Sequence, residues 1–181
     1  MLQYSTWDID ADKEDVPYDG CYLGDYRNLL GMFFEYADVE GYDAQEVFTG
    51  LIRSDYKYYL DTCHPHYIGG CNTYEFAKYI LVDRLDLTID NYEKACAGTD
   101  AYWWGWSMAL VQWWFNITWD DMEKYCKLES VKSLYYLGHE VDDIHILDAY
   151  RSRLIESGYP KELKDPWETR DYYLKKYGKE T

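Results

Sequence analysis

The segment Ala101–Ile117 constrains this chain more than any other. Trp103, Trp106, Leu110, Trp113 and Ile117 recur at the 3-4-3-4 spacing of one helix face, and Trp104, Met108, Val111 and Phe115 form the neighbouring stripe. At 100° per residue, Gly105, Ala109, Gln112 and Asn116 fall together on the remaining side. A helix that is apolar over more than half its circumference is normally enclosed by other helices. Gly105 and Ala109 would let one of those neighbours come close, and buried indole N–H groups would need partners. The segment holds Ser107, Gln112 and Asn116 and falls short of the roughly 20 mostly apolar residues of a membrane span. It therefore reads as the axis of a soluble core, with a binding role for its aromatic patch as the alternative.

Helix starts and stops lie along the rest of the chain. Asp43 with Glu46, Asn72 with Glu75, Asp90 with Glu93, and Asp165 with Glu168 match the N-cap and N3 pattern. Pro166 follows Asp165 at a first helical position, where its missing N–H costs nothing. Stops stand at Gly41, Gly98 and Gly158, and Gly138-His139 ends one helix before Asp142 and Asp143 open the next. Together with apolar spacing such as Leu29, Met32, Phe33 and Tyr36, these predict helices near 25–38, 44–60, 73–85, 91–97, 100–116, 119–126, 129–137, 142–157 and 166–177. Tyr67–Cys71 is the one place where a short hairpin competes. The expected fold is all-α: a compact single-domain helical bundle (21–181) around the Trp-rich central helix, preceded by an acidic N-terminal segment (1–20).

Charge narrows the function. The 181 residues carry a formal charge of −16, which argues against a general nucleic-acid binder, since such a protein needs a basic surface to track phosphates. The acids crowd the first 50 residues, whereas 151–181 turn net basic through Lys161, Lys164, Arg170, Lys175, Lys176 and Lys179. Trp, Tyr and Phe make up 19% of the chain, too many for a disordered acidic tail. Met1–Pro17 is polar and acidic where a secretory signal needs a basic start and an apolar run. Five scattered cysteines (Cys21, Cys63, Cys71, Cys96, Cys126) without a CxxC pair suit reduced thiols and a cytoplasmic location.

Motifs of chemistry are weak. Cys63-His64-Pro65-His66 and Cys71 offer zinc-type donors, but adjacent Cys63 and His64 would strain to reach one tetrahedral centre, so the stretch reads as a surface loop. Asp8-x-Asp10-x-Asp12 resembles the start of a calcium loop, yet Lys13 and Asp19 stand where Gly and Glu belong. His139 and His145 are six apart, not four, and cannot share a helix face as zinc-protease histidines do. The expectation is accordingly no enzyme, no metal and no cofactor.

The run Tyr102-Trp103-Trp104-Gly105-Trp106, then Ala109 and Gln112-Trp113, together with Tyr135-Tyr136-x-x-His139-Glu140-x-Asp142, resembles small acidic helical proteins of gut-type bacteria and their phages and plasmids. Those include anti-CRISPR proteins that inhibit the type II CRISPR nuclease. A second group it resembles occurs in toxin–antitoxin-like cassettes. The resemblance implies a phage or mobile-element inhibitor whose partner is a CRISPR nuclease with its guide RNA, or an antitoxin-like partner protein. Physics supports the first: a nuclease that holds nucleic acid in basic channels offers a surface to an acidic competitor. On charge, the expected partner-binding residues are Asp8, Asp10, Asp12, Glu14, Asp15 and Asp19, then Asp120, Asp121, Asp142 and Asp143. The basic C-terminal stretch could touch guide RNA or DNA.

Overall fold

In the computed structural model, residues 22–62 and 64–169 are described. The acidic segment 1–20, Cys63, and the part of the predicted 166–177 helix beyond 169 lie outside them. All regular structure among the described residues is helical: α1 (Leu23–Val39), α2 (Ala44–Arg53), α3 (Tyr56–Asp61), α4 (Pro65–Ile68), α5 (Thr73–Lys78), α6 (Asp100–Phe115), α7 (Trp119–Tyr125), α8 (Leu128–Gly138) and α9 (Asp143–Glu156). A π turn, Tyr79–Arg84, continues α5, and a 3₁₀ turn, Tyr92–Lys94, interrupts the chain before α6. No helix among them is long and apolar enough to cross a membrane.

The Trp-rich segment is the axis of the bundle. α1 lies along the Gly105 side of α6, so closely that a Cβ on Gly105 would fall against the Leu30 backbone. Gly31 on α1 in turn accepts the Tyr102 ring, which a Cβ there would meet at 2.6 Å. α8 and α9 cover another side, where Trp103 meets the Tyr135 ring at 5.6 Å and Ser107 hydrogen-bonds Tyr150 at 2.7 Å. Asn116 ends α6 in the left-handed conformation (φ 49°), one of the few that Asn tolerates better than most residues. Around this axis runs a chain of rings. Phe34 meets Phe48, Phe48 meets Trp119, and the Trp119 indole donates to the Tyr26 hydroxyl at 3.0 Å. Trp113 is core; Trp106 is only half-buried, with the Arg27 guanidinium over its ring, 3.1 Å from the centre.

Most predicted starts hold. Asp43 accepts from the Glu46 N–H, Asn72 from Tyr74, Asp142 from His145 and Asp165 from Trp167. Gly41 (φ +80°) and Gly158 (φ +79°) take the left-handed turns expected of stops. Three expectations fail, and one alternative drops out. The helix predicted over 44–60 breaks at Ser54, whose extended backbone (ψ 157°) and hydroxyl bond to the Leu51 carbonyl turn Tyr56 inward onto Phe76. The predicted 91–97 helix shrinks to one 3₁₀ turn without an Asp90 cap, because the Cys96 N–H goes to Glu35 rather than to a helical carbonyl. No helix stops at Gly98; the left-handed residue is Ala97 (φ 54°). The competing hairpin at Tyr67–Cys71 is absent, its first residues closing the short α4.

Candidate partner-binding surface

Residues 85–99 connect the π turn to α6 and are longer than most helix–helix connections, which run to about 2–8 residues. Long irregular loops in compact domains are usually either functional or disordered linkers. This one is held in place by side chains from the end of α1 and the turn after it. Tyr42 Oη donates to the Thr88 carbonyl (2.9 Å) and accepts the Thr88 N–H (2.8 Å). Both Glu40 oxygens are engaged by Asn91, one by its backbone N–H and the other by its side-chain amide at 2.8 Å. Fully buried Glu35 accepts the Cys96 N–H at 3.2 Å and the hydroxyl of Thr99, the residue that caps α6. Buried Ile89 pins the middle, and the left-handed residues Asp86 (φ 57°) and Ala97 lie near its two ends.

The loop so fixed presents carboxylates. Asp86, Asp90 and Glu93 are exposed on it against the single base Lys94, and Glu75 on α5 and Asp100 opening α6 are exposed as well. α1 ends with Asp38 and no basic residue in its last turn, where the helix dipole favours cations. Burial, then the neighbouring Glu35 and Asp100 carboxylates, raise the Asp38 pKa above its ordinary 3.8 against the pull of Lys132. Burial also works against the Glu40 carboxylate, but its Asn91 and Asp90 hydrogen bonds and Lys94 outweigh it and hold its pKa below 4.5. Tyrosines accompany the acids: Tyr92, 44% exposed, packs on Tyr74 at 5.0 Å, and Tyr74 on Tyr36 at 6.2 Å. Rigid tyrosines beside fixed charges are the composition of a recognition surface.

The acids expected from sequence have other geometry. Asp8, Asp10, Asp12, Glu14, Asp15 and Asp19 lie outside the described residues. Asp120 pairs with Lys57 at 2.7 Å, and Lys57 also binds Asp61. Asp121 lies in the first turn of α7 and 3.8 Å from Lys161. Asp142 caps α9 and meets His145, while Asp143 grips Arg27 through two bonds of 2.6 and 2.8 Å. The two pairs thus open two different helices, and each acid already has a local partner. The clasp of Glu35, Glu40 and Tyr42 had no sequence signal, because its partners are 46 to 64 positions away.

Other polar side chains gather at three more places on the fold. A cleft of about 630 Å³ between α2 and the π turn is lined by Glu46, Thr49, Arg53, Asp55 and Arg84, with Arg84 tied to Asp55 and to the Tyr79 hydroxyl. His64 and His66 both set their rings against Tyr67, at 5.1 Å each. His139 stacks on Tyr135, and neither it nor Glu140 lines that cleft. Among the described residues no group of three or more His, Cys, Asp or Glu side chains could hold a metal ion. No family model matches the chain, and no curated protein or solved structure is detectably similar to it.

Proposed function

We propose that this chain is a non-catalytic binding protein whose acidic, tyrosine-bearing face engages a basic surface on a nucleic-acid-handling partner. The observation that carries the reading is the clasped loop. Buried or paired carboxylates of α1 hold residues 85–99 rigidly, and the loop turns further, unneutralised carboxylates outward. Keeping the Asp38 charge at the C-terminal end of α1 costs stability, so a use for that charge is the economical explanation. With −16 charges overall, approach to a basic channel would be steered and fast. Inhibition of a type II CRISPR nuclease by occupying its nucleic-acid surface is the specific form, following the resemblance.

The test is DNA cleavage by a guide-loaded type II CRISPR nuclease with and without the protein, repeated with an Asp86→Asn, Asp90→Asn, Glu93→Gln variant. Wild type should block cleavage, and the variant should bind more slowly and inhibit less. Unimpaired cleavage at saturating wild-type protein removes the CRISPR nuclease as partner. Capture from host lysate at low and high salt then tests the charge reading alone, which a salt-insensitive partner overturns.

A further inference from the structure

The cleft between α2 and the π turn has a volume of about 630 Å³, that of an ordinary small-molecule site. Its wall is a wide turn, closed by a bond from the Leu85 N–H to the Ile80 carbonyl, and π turns recur at functional sites. The Leu85 side chain packs on Gly50 of α2, where a Cβ would meet Leu85 Cδ1 at 2.5 Å, and both residues line the cleft. Arg84, the last residue of the π turn, reaches Asp55 and the Tyr79 hydroxyl with Nε and Nη2. Its Nη1 makes no hydrogen bond among the described residues.

Most of the charge in the cleft is answered locally. Asp43 caps α2 through the Glu46 N–H, and Asp55 and Arg84 neutralise each other. Two charges are left over. The Glu46 carboxylate and the Arg53 guanidinium are exposed, and neither has a hydrogen bond or ion pair among the described residues. Seven positions apart, they stand on the same side of α2, and the helix rise separates them by about 10 Å, too far to pair. Uncharged Thr49 and Gly50 lie between them. Arg84, held by Asp55, adds its Nη1 at the Arg53 end. We propose that the cleft binds a short zwitterionic peptide, about three residues long by the 3.3–3.6 Å that each extended residue spans. Its terminal ammonium lies against Glu46, its terminal carboxylate against Arg53 and Arg84, and its middle residue over Gly50 and Leu85. A free phosphate would satisfy Arg53 and be repelled by Glu46; a polyamine would do the reverse. The site is separate from the clasped loop and stands whether or not the partner reading does.

The probe is the free tripeptide Ala-Ala-Ala, titrated into ¹⁵N-labelled full chain while the Thr49, Gly50 and Ser54 amide signals are followed. They should shift saturably, with half-saturation below about 10 mM. The N-acetyl and C-amide forms should each bind about fivefold more weakly, the upper end of what an exposed ion pair contributes. The dipeptide Ala-Ala, too short to reach both charges, should lose about as much. Glu46→Gln should weaken binding of the free tripeptide and leave that of the N-acetyl form unchanged; Arg53→Gln should weaken the free tripeptide and leave the C-amide form nearly unchanged. Both substitutions fall at exposed positions, and the blocked peptides probe the same contacts on the unaltered protein. No saturable shift, equal binding of the doubly blocked tripeptide, or full affinity in both variants overturns the proposal. So does inorganic phosphate that moves the same signals with the affinity of the tripeptide, which would make the cleft a plain anion site.

Discussion

Gly105 and Leu30 touch backbone to backbone: a Cβ on Gly105 would lie 2.1 Å from the Leu30 carbonyl oxygen and 2.8 Å from the Gly31 nitrogen. Neither atom belongs to a side chain that could swing aside. In an ordinary helix interior, replacing Gly with Ala gains about 0.5–1 kcal/mol. Here the sign reverses, since α1 and α6 must separate along their whole contact. Gly105→Ala is expected to cost about 3 kcal/mol or more, read as a lower urea midpoint. A neutral result would mean that the two helices do not cross there.

Arg27 joins three helices. It leaves α1, lies over the Trp106 ring of α6, and holds both Asp143 oxygens at the start of α9. It is 5% exposed, so Asp143→Ala would strand a buried cation. Because Asp143 itself is half-exposed, the expected loss is about 2–4 kcal/mol, at or below the range for fully buried pairs. The double change Arg27→Met, Asp143→Leu should recover most of it, as apolar replacement of buried pairs often does. If the double variant is as unstable as the single one, the pair is not the source of the loss.

The local parts of this fold were legible. Side-chain caps such as Asp43 and Asp142 act within three residues, and the α6 pattern announces a helix enclosed by its neighbours, though not that Ser107 and Gln112 are fully buried while Trp104 and Trp106 are only half-buried. The glycine that admits α1 was visible for the same reason, as a small residue on an otherwise bulky helix. What failed was decided at long range. Nothing near Asp90 or Glu93 reveals that Glu35 and Glu40 will take the N–H groups of residues 91 and 96. The Ser54 break likewise depends on Phe76, 22 positions on, offering Tyr56 a place in the core. The candidate surface was legible as an excess of acids, but not in its location.

Asp38 gives that surface a pH signature. Its raised pKa means that the folded chain binds this proton more tightly than the unfolded chain does. The group therefore favours folding most below its ordinary value of 3.8, and that contribution is lost as the pH rises through the higher folded value. Near neutral pH, Asp38→Asn should stabilise the fold modestly, by about a few tenths of a kcal/mol once solvent screening is allowed for, read as a slightly higher melting temperature. The gain should fade as the pH falls through the carboxylate range. A gain that is constant with pH would point to helix propensity instead of charge.

The clasp and the N-terminal acids make opposing claims on recognition, and one experiment separates them. Neutralising Asp8, Asp10, Asp12 and Asp15 together removes charge that has no described packing, so stability should stay within about 0.5 kcal/mol. Glu40→Ala instead releases Asn91 and loosens the loop while leaving every outward-facing acid of 85–99 in place. If long-range steering dominates, the four-site variant should slow association and flatten its salt dependence, because exposed charges are screened beyond about 10 Å at 0.1 M salt. If the fixed loop is the contact, Glu40→Ala should leave the association rate nearly intact and raise the dissociation rate, since ordering the loop then has to occur on binding. Surface plasmon resonance against the captured partner at two salt concentrations reads both rates. Loss through dissociation in Glu40→Ala alone assigns recognition to the clasped loop; loss through association in the four-site variant alone assigns it to the acidic terminus, and the rigid-loop reading then falls.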